Sequence, residues 1–214
     1  MSMPLIIFAK APKPGAVKTR LIPALGAEGA ACLYERLLEH TIQQAVSSAC
    51  FPVYLYTPDG LDHPFIQKML SQYLLIHRHQ QGADLGERMC KALSECEHGA
   101  LLIGSDCPAI NMDMLERCSY ALNTHEAVFL PAVDGGYTLV GLKQADIDLR
   151  DAGVEMPYYR LFEGIEWSTD QVMEQTRERL EQLSISWVEP AVLWDVDQPE
   201  DLKRLAQQFP ELFP

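Results

Sequence analysis

The sequence predicts a three-layer α/β/α domain on a mixed, mostly parallel sheet. Short apolar runs alternate with helix-period segments through the early part of the chain, the pattern of right-handed β-α-β crossovers covered on both faces. Later, around Asp134–Leu142 and Ile185–Asp195, strand-like runs follow one another without a helix of their own, which predicts some antiparallel strands. The 214 residues, 48% hydrophobic and 22% charged, suit one sizeable core, so residues 1–214 are read as a single domain.

The expected strands are Leu5–Ala9, Val53–Tyr56, Leu74–His77, Ala100–Gly104, Ala127–Pro131, Tyr137–Leu142 and Ile185–Val188. The first helix is expected over Ala27–Ala49, where Ala30, Leu33, Leu37, Leu38, Ile42, Ala45 and Val46 keep a 3.6-residue period. Further helices are expected over Pro64–Ser71, Leu85–Glu97, Met112–Leu122, Asp170–Leu183 and Pro199–Gln208. The polar stretch from Lys143 to Pro157 reads as a surface excursion within the domain.

Composition narrows the function. A formal net charge of -13 argues against a partner such as duplex nucleic acid, which requires a broad basic face. No basic leader with an apolar core and no 18-residue apolar stretch is present, so a cytoplasmic protein without a membrane span is expected. Cysteines at 32, 50, 90, 96, 107 and 118 lack Cys-x-x-Cys spacing, and neither disulfides nor structural zinc are expected. Against this acidic background, Lys10, Lys13, Lys18 and Arg20 crowd into eleven positions after the first strand. Such a cluster makes a local anion site, read here as a phosphate-binding loop.

In an open α/β sheet, ligands bind beyond the carboxyl ends of the strands, which gives weight to polar residues that follow them. In the first loop two prolines stiffen the chain and Gly15 lets the backbone approach a ligand; the spacing is not that of a Walker loop. Asp106, after the most apolar strand, is placed to ligate Mg²⁺, or else to cap a turn or the next helix before Pro108. Asp195 and Asp197, two apart in an extended segment, would share one side and could hold a cation, or cap the last helix. Asp134 with Gly135 and Gly136 could accept from hydroxyls, or form a hairpin turn. Gln80, Gln81, Gly82 and Asp84 could read a base edge, or start a helix. No Ser/His/Asp or Cys/His pattern supports nucleophilic hydrolysis.

Six motifs in order run Phe-Ala-Lys-Ala-Pro-Lys-Pro-Gly-Ala-Val-Lys-Thr-Arg-Leu (8–21), Asp-Leu-Gly-Glu-Arg-Met (84–89), Gly-Ser-Asp-Cys-Pro (104–108), Pro-Ala-Val-Asp-Gly-Gly-Tyr (131–137), Gly-Ile-Glu-Trp-Ser-Thr-Asp (164–170) and Asp-Val-Asp-Gln-Pro-Glu-Asp-Leu (195–202). Together they resemble the bacterial glycosyltransferase-like family described as CofC-like or radical-SAM/selenodomain-associated transferases, over nearly the whole chain. The resemblance implies the nucleotide-diphospho-sugar transferase (GT-A) fold, with Mg²⁺ or Mn²⁺ as cofactor. It implies that Lys10, Gly15, Lys18 and Arg20 embrace a triphosphate, that Asp106 binds the metal, and that Asp195 or Asp197 supplies the second ligand. Lys18, Arg20 and Asp106 would then be catalytic, while Asp134, Gly135, Gly136, Trp167, Ser168 and Thr169 fall on the acceptor side. Two departures stand out: the stretch 143–160 is longer than is usual for the family, and Ala-Lys-Ala-Pro replaces a Gly-x-Gly opening.

The expected partners are a nucleoside triphosphate or nucleotide sugar and a small-molecule acceptor. A glycosyltransferase would favour an Asp-x-Asp pair at the mid-chain strand end, whereas Ser105-Asp106-Cys107 has one carboxylate there, which favours nucleotidyl transfer. Glycosyl transfer and non-catalytic nucleotide binding are the alternatives.

Overall fold

The computed structural model of the protein describes residues 3–47, 51–143 and 159–213. The strands are β1 (Leu5–Phe8), β2 (Val53–Thr57), β3 (Leu75–His79), β4 (Ala100–Ile103), β5 (Ala127–Pro131), β6 (Tyr137–Leu142) and β7 (Trp187–Val188). The helices are α1 (Ile22–Ser47), α2 (Pro64–Gln72), α3 (Leu85–Ser94), α4 (Met112–Ala121), α5 (Tyr159–Phe162), α6 (Val172–Gln182) and α7 (Asp201–Gln208). The strands form one seven-stranded sheet in the order β3-β2-β1-β4-β6-β5-β7. All neighbours pair in parallel except β6, which runs antiparallel to both β4 and β5. The predicted mixed sheet is thus realised through a single reversed strand.

Alternation along β1 builds the layers. Leu5 and Ile7 join a core cluster with Leu38 and Ile42 of α1, Ile66 of α2 and Leu115 of α4. Ile6 and Phe8 point to the opposite face and pack with Met89 of α3, Leu161 of α5 and Leu180 of α6. A fully buried Leu or Ile contributes about 1.5–3 kcal/mol, so the run 5–8 anchors both layers. A third cluster joins Leu33 and Leu37 of α1 to Trp194, Val196 and Leu205. This cluster fixes the acidic segment 195–197 beneath the sheet's carboxyl edge.

Departures from expectation have local causes. The first helix is extended at its start by residues 22–25, but Gly26 breaks it at φ 72 and ψ 169, so the periodic part begins at the predicted Ala27. The strand expected over Ile185–Val188 shortens to two residues because the Ile185 N–H is spent on Leu180 O at the end of α6. Helix α5 was not anticipated; it is a single turn whose Leu161 and Phe162 are buried. Most of the excursion 143–157 lies outside the described residues. Among the described residues no helix is long and apolar enough to cross a membrane.

Gly135 joins two distant motifs. At φ +92 it lies so close to Asp170 that an added Cβ would stand 2.6 Å from the Asp170 Cα, and its carbonyl accepts from Met173 N at 2.8 Å. Gly135→Ala is expected to lower stability by about 1–3 kcal/mol in chemical denaturation, because both the dihedral and the backbone contact resist a side chain.

Candidate active site

The carboxyl ends of β1 and β4 lie side by side, since Ile7 pairs with Ile103. The basic loop and Gly104-Ser105-Asp106 therefore leave the sheet as neighbours. Tyr34 of α1 fastens them together from below. Its buried hydroxyl accepts from Lys10 N at 2.9 Å and shares a hydrogen bond with Ser105 Oγ at 2.8 Å. Burial raises the Tyr34 pKa, with the Lys10 and Ser105 hydrogen bonds opposing, so the phenol stays protonated. Neither Tyr34 nor Ser105 was selected from the sequence. Tyr34 lies on the apolar period of α1, where its aromatic ring resembles any core residue; Ser105 sits inside a recognised motif, which was the available signal.

The basic loop divides its cations. Lys18 Nζ donates to Asp106 Oδ2 at 2.8 Å and lies 3.7 Å from Asp197 Oδ1, with 5% of its side chain exposed. Arg20, more exposed, pairs with Asp197 through Oδ2. Lys13 is turned outward to Asp59 at 3.2 Å, and Lys10 is exposed. Gly15, at φ +79, has open space where a side chain would be. Gly60, at φ +83, abuts Ala11 so closely that a Cβ there would collide with it, which holds the start of the loop against the end of β2.

Asp106 does not cap the following helix; Asn111 does, accepting from Met114 N at 2.9 Å. The carboxylate is thereby left for Lys18, and the Asp106 carbonyl accepts from Val196 N at 2.9 Å, tying the C-terminal acids to the same corner. Asp201, not Asp197, accepts from the backbone N–H groups of Asp197 and Gln198, at 3.0 and 2.7 Å. Asp197 is free to pair with Arg20 and Lys18. Both Asp195 and Asp197 act electrostatically on Lys18, so the predicted pair is gathered around the lysine.

The charges are interdependent. Burial alone would lower the Lys18 pKa, but the charges of Asp106, Asp197 and Asp195 and the hydrogen bond to Asp106 prevail and raise it. Asp195 is pushed up to about 7, by burial first and then by the negative charges of Asp106 and Asp134. Burial likewise pushes the Cys107 thiol up to about 12, which leaves it a protonated packing group beside Asp106. The described cysteines 32, 90, 96, 107 and 118 are free.

Among the described residues no three His, Cys, Asp or Glu side chains are grouped closely enough to hold an ion by themselves. Asp106 and Asp195 nevertheless fit a hard divalent cation, which takes one or two carboxylates and completes its shell with phosphate oxygens and water. After burial, the Asp106 charge is the next cause that disfavours ionised Asp195, and such an ion would offset it.

The remaining predicted residues take distinct places. The Gln80 amide nitrogen donates to Tyr56 O at 2.9 Å and Ala9 O at 3.4 Å, a buried strap across the ends of β1 and β2. Asp84 caps α3 by accepting from Glu87 N at 2.8 Å, while Glu87 reaches back to Ala83 N at 3.0 Å, the helix-start reading of this segment. Gln81 is exposed, and Gly82 packs against the first turn of α3. Asp134 Oδ1 accepts from Gly136 N at 2.9 Å in the β5–β6 turn, and the carboxylate still acts on Asp195. Trp167 packs against Phe162 and Gly86, with Ser168 in the left-handed region at φ 67; Thr169 donates to Glu166 O at 2.7 Å. The Gly135–Asp170 contact sets this segment beside the Asp134 turn.

This sheet order and crevice define the nucleotide-diphospho-sugar transferase fold. A crystal structure provisionally assigned as a nucleotide-diphospho-sugar transferase from Desulfovibrio desulfuricans is similar at 27% identity and TM-score 0.80, over 98% of this chain and 90% of that one. A cytidylyltransferase from Leptospira borgpetersenii superposes at TM-score 0.59 and 14% identity, covering 100% and 90% of the two chains. A Mycobacterium tuberculosis protein in complex with manganese does so at TM-score 0.51 and 14% identity, covering 97% and 100%. Residues 41–169 match the model of a family described as an uncharacterized protein conserved in bacteria, DUF2064, and the chain belongs to that family. No curated protein matches the sequence.

Asp195 generates a pH prediction. Its folded pKa of about 7 exceeds the ordinary 3.8, so its contribution to stability is complete below the unfolded value and is lost as pH rises through about 7. In thermal denaturation Asp195→Asn is expected to melt several degrees above the wild type at pH 8 and to lose that advantage below pH 4.

Proposed function

We propose that this protein is a nucleotidyltransferase that joins the nucleotide of a nucleoside triphosphate to a small phosphorylated acceptor and releases pyrophosphate, with Mg²⁺ or Mn²⁺ as cofactor. The observation that supports it most is the meeting of Lys18 and Arg20 with Asp106, Asp195 and Asp197 at the carboxyl ends of adjacent parallel strands. A polyphosphate there would face the basic loop, with Lys18 and Arg20 giving charge-assisted hydrogen bonds to its oxygens. As charge develops on the departing pyrophosphate, these same groups would stabilise it without a covalent protein intermediate. Asp106 and Asp195 would hold the divalent cation, which when bound supplies charge neutralisation between phosphate oxygens. The left-handed backbone at Gly15 and the open space around it allow the loop to approach a ligand. On the opposite side, Asp134, Gly135 and Gly136 with Trp167, Ser168 and Thr169 would receive the acceptor, since the Gly135–Asp170 contact makes them one wall.

Transfer of a sugar from a nucleotide-diphospho-sugar is the second reading. The 27% identical structure is named for that reaction class. The single carboxylate between Ser105 and Cys107 favours nucleotidyl transfer instead.

Thermal-shift panels of nucleoside triphosphates and nucleotide sugars with Mg²⁺ or Mn²⁺ test the reading, because a ligand stabilises according to its concentration over Kd. A metal-dependent rise is expected with a triphosphate, followed by pyrophosphate release when the right acceptor is present. Nucleoside diphosphate released from a nucleotide sugar would instead establish the second reading. Asp106→Ala is expected to lower turnover by about a hundredfold or more while the protein stays folded by circular dichroism. Full turnover in that variant would refute the assignment of Asp106.

A further inference from the structure

Lys18 already sits, as a cation, on the carboxylate that the proposed reaction assigns to a metal. Its Nζ stands 2.8 Å from Asp106 Oδ2, inside a corner that leaves 5% of the side chain exposed. It reaches that position from a left-handed backbone, φ 45 and ψ 44, which is costly for a residue with a Cβ. Asp197 has Arg20 as a counter-ion of its own, whereas among the salt bridges of the described residues Asp106 is neutralised by Lys18. Were Lys18 absent, the corner would gather Asp106, Asp195 and Asp134 with no ammonium among them.

A divalent ion bound by Asp106 would stand only a few ångströms from an ammonium on the same carboxylate. At such range two cations repel strongly even at the effective dielectric of a protein surface. Lysine is suited to yield, being a point charge on a flexible four-carbon stem that is not locked into a planar fork. We infer that Lys18 is the stand-in cation of this site: a divalent ion takes Asp106 from it, and the released ammonium turns to the bound polyphosphate. The inference rests on the proposed reading for the metal at Asp106 and for that final partner. It gives Lys18 two positions and makes the phosphate grip conditional on metal loading, since the lysine is withheld on Asp106 until the ion arrives.

The exchange can be followed with Mn²⁺ alone, without nucleotide. Acylation of lysines by a water-soluble amine reagent, read by mass spectrometry, should be slow at Lys18 in the free protein and several-fold faster at saturating Mn²⁺. Lys13, half-exposed on Asp59, serves as the unchanged internal reference. In Asp106→Asn, Lys18 should be labelled quickly with or without Mn²⁺. Mn²⁺ titrations followed by electron paramagnetic resonance should show Lys18→Met binding about tenfold or more tightly than the wild type, because the competing charge is gone. Lys18 labelling indifferent to saturating Mn²⁺, equal or weaker binding by Lys18→Met, or no binding by either protein would each overturn the inference. If Lys18→Met does not fold, the labelling of the wild type decides alone. Failure here would leave the transfer reaction standing, and absence of turnover would leave these binding results standing.

Discussion

Parallel pairing of β1 with β4 is the constraint on which the site depends. Because both strands end at the same edge, the loop rich in Lys and Arg and the loop bearing Asp106 emerge together, 88 residues apart in sequence. β5 runs in the same direction as β4 and ends at the same edge, where the turn into the reversed β6 carries Asp134, so this acid reaches the same crevice. The C-terminal acids arrive by a different route, carried under the edge by Trp194 and Val196, which are buried against α1 and α7. Packing thus positions the chemistry: the carboxylates sit in a strained electrostatic corner because apolar neighbours on either side of them hold the backbone in place.

A protein with net charge -13 has little cation to distribute, and its placement here is economical. Lys18 and Arg20 each answer carboxylates that would otherwise repel one another across a partly buried space. The balance is incomplete at Asp195, where burial first and then the charges of Asp106 and Asp134 favour the acid form up to about pH 7.

Much of this organisation could be read from the sequence because its signals are local. The apolar run 5–9 marks the central strand, the period from Ala30 to Val46 marks α1, and the polar residues that follow each strand mark the crevice. What could not be read depends on tertiary register. Whether Asp197 caps the last helix is undecided by spacing; the fold pairs Asp197 with Arg20, while Asp201, the first residue of that helix, reaches back to the N–H groups of Asp197 and Gln198. Gln80 resembles a base reader in sequence, yet its amide nitrogen lies where two carbonyls of strand ends need a donor. Ser105 and Tyr34 meet only because α1 crosses beneath the β1–β4 corner.

The Tyr34 hydroxyl has a further consequence. One buried oxygen holds the first residue of the basic loop and the residue before Asp106, so the two loops share a single hinge point and cannot drift independently. A crevice assembled from separate loops ordinarily loses part of its intrinsic affinity to the entropy of bringing those loops together. Here that ordering is completed during folding, within the core, before any ligand arrives. The mobility left to the site is then concentrated in long side chains at its rim, which reorient without disturbing the frame that carries them.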